Sequence, residues 1–212
     1  MCKRMLFIAF GYAVTIVTAM LSSCCNEEPI ETNRFALTPQ QTQLLPYQQG
    51  STIAFQHSGG FGFNFHVSSI ADEWIENRDH CGHRCCGGSY FSTQHREIVL
   101  RSNYPEIDLS LGMHAFVEGY AYPAAVQLSF HYNHRAELPY HETDGFTCLG
   151  NLALCFDSLE LNGRVFYDLY KADFGAQPDP GNPGLSPRSV YYNDLGIVHL
   201  DMTNNDSFTL AQ

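Results

Sequence analysis

The chain has 212 residues, a formal net charge of −11 at neutral pH, and only 16 % charged side chains against 13 % aromatic ones. A surface this acidic repels phosphate backbones and anionic headgroups, which argues against nucleic acid as a partner and against adsorption to anionic lipid. Few charges and many aromatics describe a globular, β-leaning chain, not a disordered one.

The first segment to read is the N-terminus. Lys3 and Arg4 precede an apolar run from Met5 to Leu21, interrupted only by Gly11, Thr15 and Thr18. A basic start, an apolar stretch and small residues at its end are the marks of a secretory signal peptide. A transmembrane anchor is the competing reading, because 17 residues lies at the short end of the spanning range. Against it, no basic flank follows; Asn26, Glu27 and Glu28 do.

Leu21-Ser22-Ser23-Cys24 closes the apolar run. These four residues resemble the lipobox of bacterial lipoproteins (Leu, small, small, Cys). The resemblance implies cleavage before Cys24, diacylglycerol on its sulfur and an acylated amino group. One acyl chain binds a bilayer marginally, whereas two or three hold stably. Asn26-Glu27-Glu28 resembles the export signal of surface lipoproteins in Bacteroides-type bacteria; a solvated acidic tether is the alternative reading. The location implied is the outer membrane, lipid-anchored and facing the cell surface, with a periplasm-facing arrangement as the alternative. The bilayer is then a partner through the anchor alone.

Three segments follow: signal peptide 1–23, polar tether 24–45 with a first strand near its end, and a domain over 46–212. Loss of residues 1–23 leaves nine basic and 22 acidic side chains, a net charge of −13. Ser51–Gln56 and Phe61–Val67 alternate across Ser58-Gly59-Gly60, which predicts a hairpin. Ser69–Trp74 reads as the start of a short helix, and His80–Ser89 as irregular. Strands are predicted over Arg96–Arg101, Glu106–Met113, His114–Tyr120 and Ala125–His131. A hairpin is expected over Thr147–Phe156 around Gly150-Asn151. Another is expected between Ser158–Leu161 and Arg164–Tyr170 around Asn162-Gly163, the strongest two-residue turn signal. Residues 175–188, rich in proline and glycine, read as a long loop. Val190–Tyr192, Leu195–Met202 and Ser207–Leu210 form a terminal meander turning at Asn204-Asn205-Asp206. The fold class is all-β: a single antiparallel β-sandwich or barrel-like domain after a signal peptide and tether. The order of Val165–Tyr170 and then Val190–Leu200 is similar to many small gut-bacterial lipoproteins. That resemblance, over residues 150–210, implies class and location and carries no site.

The densest constellation is Asp79-His80-Cys81-Gly82-His83-Arg84-Cys85-Cys86. Three thiols and two imidazoles are enough for tetrahedral zinc, with His80, Cys81, His83 and Cys85 as the candidate ligands. Yet Cys81-x3-Cys85 lacks a matching second pair, and an exported domain meets an oxidising compartment where disulfides form by default. Apart from Cys24, the mature cysteines are Cys25, Cys81, Cys85, Cys86, Cys148 and Cys155, an even number with 15 pairings. Cys148–Cys155 across the predicted hairpin is the first bridge expected. Cys81 would pair with Cys85 or Cys86, leaving the third for Cys25 or free. His131 and His134, with His141 and Glu142 nearby, form a second candidate metal group; solvent-facing polar positions are the preferred reading, because residues three apart on a strand face opposite ways.

No nucleophile elbow, zinc-protease helix or phosphate loop occurs, so no catalytic residue and no cofactor is assigned. Aromatics outside clean alternation are candidates for surface recognition, above all Trp74, Tyr90 and Tyr140. The expected function is non-catalytic binding of glycan or envelope protein by a membrane-anchored β domain. The alternatives are a structural accessory subunit of an envelope assembly and a metal-binding protein or metalloenzyme using the Cys/His cluster.

Overall fold

The computed structural model describes residues 28–78, 88–117, 124–131, 134–141, 144–148, 153–175 and 185–211. The expected signal peptide, Cys24, Cys25 and the cluster from Asp79 to Gly87 lie outside them, as do the turn expected at Gly150-Asn151 and residues 176–184. In chain order the elements are β1 (Ile30–Phe35), α1 (Pro39–Gln43), β2 (Thr52–His57), β3 (Gly62–Arg78), β4 (Ser89–Asn103), β5 (Glu106–His114) and β6 (Ala125–Phe130). There follow β7 (His134–His141), β8 (Gly145–Phe146), β9 (Ala153–Leu161), β10 (Arg164–Asp173), β11 (Pro187–Asn193), β12 (Gly196–Met202) and β13 (Ser207–Leu210). The fold is all-β and nearly all antiparallel.

The chain divides into two compact units, one of Met1–Arg34 with Glu76–Ser92 and one of Phe35–Ile75 with Thr93–Gln212. In the smaller unit β1 lies along the start of β4, with the Ile30 amide donating to the Gly88 carbonyl at 3.1 Å and the Thr32 hydroxyl to the Tyr90 carbonyl at 3.0 Å. Ile30 to Arg34 are all exposed, so backbone pairing rather than burial holds this strand.

In the larger unit the strands neighbour one another in the order β8-β7-β6-β5-β4-β3-β2-β13-β12-β11-β10-β9. This is two meanders joined where β2 pairs with β13. The sheet curls until its two ends approach: the Gly175 amide, just past β10, donates to the Arg135 carbonyl of β7 at 3.2 Å. Phe146 of β8 lies 4.7 Å from the Tyr170 ring and 5.8 Å from that of Tyr192. Alternating residues fill the inside of the curl, including Phe63, Phe65 and Val67 of β3 and Leu109, Leu111 and Met113 of β5. Each such side chain contributes about 1.5–3 kcal/mol by leaving water.

Several elements differ from the sequence expectations. Ser69–Trp74 is not helical but continues β3, where Asp72 accepts two hydrogen bonds at 2.8 Å from the Arg96 guanidinium of β4. That cross-strand fork secures an extension whose hydrophobic alternation has faded. Strand β4 starts at Ser89, not Arg96, and β11 starts at Pro187, inside the expected loop. Of the expected hairpin over Thr147–Phe156, the described part from Ala153 onward belongs to a strand that runs to Leu161 and pairs with β10. The Asn162-Gly163 turn stands as expected, with φ of 51° and 76°, the left-handed pair a two-residue hairpin requires.

The stretch read as tether contains β1 and α1. Thr38 and Gln41 form a reciprocal capping box, the Thr38 hydroxyl accepting from the Gln41 amide and the Gln41 side chain from the Thr38 amide. Beyond the helix, Leu45 is buried in the core. The Tyr192 hydroxyl donates to the Leu44 carbonyl, and the buried Tyr47 hydroxyl accepts from the Ile197 amide at 2.7 Å. Gly196, at φ 89°, has no room for a side chain: a Cβ there would meet the Tyr47 hydroxyl at 2.3 Å. Residues 37–47 are therefore part of the folded unit. Accordingly Leu45→Ala should lower the unfolding free energy by about 2–4 kcal/mol, read from urea denaturation; an unchanged midpoint would return this segment to the tether.

Candidate functional site

Three turns share one end of the larger unit because the strand order makes them neighbours. They are Ser58–Phe61 between β2 and β3, Tyr104-Pro105 between β4 and β5, and Thr203–Asp206 between β12 and β13. Backbone and side-chain bonds shape them. The Gly60 amide donates to the His57 carbonyl and the His57 amide to the Phe61 carbonyl, each at 2.8 Å. The Asp206 amide donates to the Asn204 side-chain oxygen at 3.0 Å. Two bonds tie the first turn to the third: the Ser58 amide to the Ser207 carbonyl at 2.8 Å, and the Ser207 amide to the Ser58 hydroxyl at 3.1 Å.

An aromatic platform sits on these turns. The His57 imidazole stacks on the Phe61 ring at 4.3 Å with 15° between planes. Phe61 in turn lies 6.1 Å from Tyr104, tilted by 41°. Phe61 is 41 % exposed and Tyr104 79 %. His57 is held at both nitrogens: Nδ1 accepts from the Gly59 amide at 2.7 Å, and Nε2 lies 3.5 Å from Asp206 Oδ2. With Nδ1 accepting, the ring proton sits on Nε2 and faces the carboxylate. Asn204 Nδ2 donates to the same carboxylate oxygen at 2.7 Å. A Cβ on Gly59 would come within 2.9 Å of the His57 ring, so a glycine there lets the imidazole lie flat under Phe61.

A second cluster is chemically richer and less accessible. Tyr191, His199 and Thr209 are cross-strand neighbours on β11, β12 and β13. His199 Nδ1 lies 2.7 Å from the Thr209 hydroxyl and Nε2 3.0 Å from Asp201 Oδ1, while the Tyr191 hydroxyl donates to Asp201 Oδ2 at 3.2 Å. Hydroxyl, imidazole and carboxylate in this order is the arrangement that activates a nucleophile. Here Thr209 and His199 are each 2 % exposed, and Thr209 Oγ1 is already met by Asn162 Nδ2 at 2.7 Å. The hydroxyl has no face open to a substrate, so the cluster fastens three strands and the β9–β10 turn together. The bond from His199 holds the Asp201 carboxyl below its ordinary range. Burial, with the Asp201 charge next, pushes the Tyr191 phenol up to about 12.

The residues singled out in the sequence are distributed as follows. Cys148 and Cys155 are disulfide-bonded, with Cα atoms 5.6 Å apart. Trp74 is on β3 and 42 % exposed; Tyr90 is on β4 and half-buried. Tyr140 is not a surface residue. It is 7 % exposed on the core face of β7, in phase with Ala136 and Leu138, and meets Phe146 edge-to-face at 5.7 Å. The expectation failed because β7 itself was not anticipated. For the same reason His134 is not solvent-facing: it lies opposite Phe130 on the core side of β7 and is 2 % exposed. Its two ring nitrogens, and His131 Nε2, meet no hydrogen-bond partner among the described residues. Cys24, Cys25, His80, Cys81, His83, Cys85 and Cys86 lie outside those residues. Among the described residues no three His, Cys, Asp or Glu side chains are grouped to hold a metal ion, and no helix is long and apolar enough to cross a membrane.

Phe61 escaped the sequence reading because it continues the alternation of Phe63, Phe65 and Val67. Its position directly after Gly59-Gly60 was the available signal, since the first residue out of a turn is where a strand face is least covered. No known protein family matches this chain, and neither a curated protein nor a solved structure matches it.

The depressed Asp201 carboxyl makes its contribution to stability depend on pH in a fixed direction. A group whose folded pKa lies below its unfolded value stabilises the fold above the unfolded value, about 3.9 for Asp, and loses that contribution as pH falls through the folded one. Asp201→Asn should therefore be less stable than the parent near neutrality, with the gap narrowing on acidification below about pH 4. Urea midpoints measured across pH check this, and a gap independent of pH would contradict the ionic role.

Proposed function

We propose that this chain is a lipid-anchored outer-membrane lipoprotein whose β fold binds glycan or protein at the cell surface without catalysing a reaction. The observation that carries the binding part is the exposed Phe61–Tyr104 pair, with Phe61 on a turn bonded to the β12–β13 turn through Ser58 and Ser207. Aromatic rings held by a rigid scaffold recognise partners at small entropic cost, and elsewhere in the larger unit phenyl rings such as Phe55, Phe65 and Phe208 are fully buried. The anchoring part rests on the signal-peptide pattern ending in Leu21-Ser22-Ser23-Cys24.

Screening the full chain on a glycan array and on envelope protein fractions tests the binding reading. The double variant Phe61→Ala, Tyr104→Ala should abolish whichever signal the parent gives. A partner co-purifying at fixed ratio, and retained by the double variant, would favour the second reading of an accessory subunit that assembles through another face. For the anchor, Cys24→Ala should leave the membrane fraction and appear soluble with the same circular dichroism spectrum. If that variant stays uncleaved in the membrane, the apolar run is a true anchor and the lipoprotein assignment fails.

A further inference from the structure

We infer that the Phe61–Tyr104 platform is a saccharide-binding site that takes an uncharged sugar, seated by ring stacking; this rests on the binding reading above. The geometry of the rings decides how a ligand can sit. Sandwiching a ring between two faces needs two van der Waals spacings, about 7–8 Å. At 6.1 Å and 41° the two rings are too close for that, so a ligand lies against them and not between them. One face of Phe61 is occupied by His57, so the opposite face and the Tyr104 ring are what a ligand meets. A pyranose is shaped for such a surface, with a flat patch of C–H bonds on one side and hydroxyls around its edge.

Polar groups lie at the edge of this platform. Asp206, whose side chain is 39 % exposed, stands beside the His57 ring that supports Phe61. Its Oδ2 is engaged by Asn204 and His57, while Oδ1 accepts no hydrogen bond among the described residues. A protein hot spot would instead need apolar neighbours to occlude the rings from water, and here the flank is ionic and amide. Charge selects among sugars: with a net −11 on the chain and Asp206 at the platform's edge, uronate and sulfated glycans are repelled.

The test is isothermal titration calorimetry of the full chain, in detergent micelles, against uncharged oligosaccharides of hexose and N-acetylhexosamine, with a polyuronate and a sulfated glycan alongside. At least one uncharged series should bind. Phe61→Ala and Tyr104→Ala should each weaken it by about tenfold or more, and Tyr104→Phe by less than about threefold. Tyr167→Ala, which removes an exposed aromatic on β10, should leave affinity unchanged. Because Phe61 and Tyr104 are exposed, thermal melts of these variants should stay close to the parent, separating lost binding from lost fold. The inference is overturned if no uncharged saccharide binds, if the anionic glycans bind more tightly, or if binding survives both alanine variants. Loss of a purified protein partner by those variants, with no saccharide bound, would overturn this inference while leaving the broader binding reading in place.

Discussion

The structure of the larger unit depends on one pairing, that of β2 with β13. Among the described residues, and apart from β1 beside β4, every other strand pair joins consecutive strands of one of two meanders; only this one joins the meanders to each other. Hydrogen bonds alone contribute little net stability to such a seam, because both strands would otherwise bond to water. The side chains supply what the ladder does not. Phe55 on β2 pairs across the seam with Leu210 and across β3 with Phe63, while Phe208 meets Phe63 edge-to-face at 5.1 Å. Phe65 completes the cluster against Phe55 at 5.3 Å and 87°. Edge-to-face phenyls gain attraction beyond the area they bury, and here three strands share it.

That seam also determines where the exposed platform is built. With β2 beside β13, the β2–β3 and β12–β13 turns become neighbours, and Ser58 and Ser207 bond across the gap. His57 mediates between the inside and the outside at this point. Its ring lies 5.2 Å from the core residue Phe208 and 4.3 Å from the exposed Phe61. A surface aromatic is thus backed by a stack that reaches the core, and it is rigid for the same reason that the seam is closed.

Much of the fold was legible where alternation is strict. β5, β6, β12 and the Asn162-Gly163 turn follow from period-2 patterning and from a turn that only left-handed residues can make. The failures share a different physics. The far half of β3 is held by Asp72 and Arg96, a tertiary fork that periodicity does not record. β7 carries Arg135 and Glu137 outward and His134, Ala136, Leu138 and Tyr140 inward, and a histidine and a tyrosine at core positions disguise the alternation. The helix near residue 40 did announce itself, through Thr38-Pro39-Gln40-Gln41, but a polar neighbourhood with no amphipathic stripe masked the cap. As for the site, Tyr104 was not among the surface aromatics singled out in the sequence, and Phe61 was hidden within an alternating run.

The contrast between the two clusters carries the functional argument. β12 is buried along most of its length, so its outward polar side chains must find partners within the fold. Unpaired, His199 and Thr209 would each be costly; joined to Asp201, Tyr191 and Asn162 they satisfy one another and stabilise the seam's neighbours. Acid–base potential is therefore spent on architecture. At the turns the logic runs the other way. Phe61 and Tyr104 leave apolar surface in water that would stabilise the fold if buried, and the sequence places that surface on neighbouring turns at one end of the unit. Folding gains nothing from that placement. A ligand with an apolar face would gain directly, because the platform is ordered before the ligand arrives.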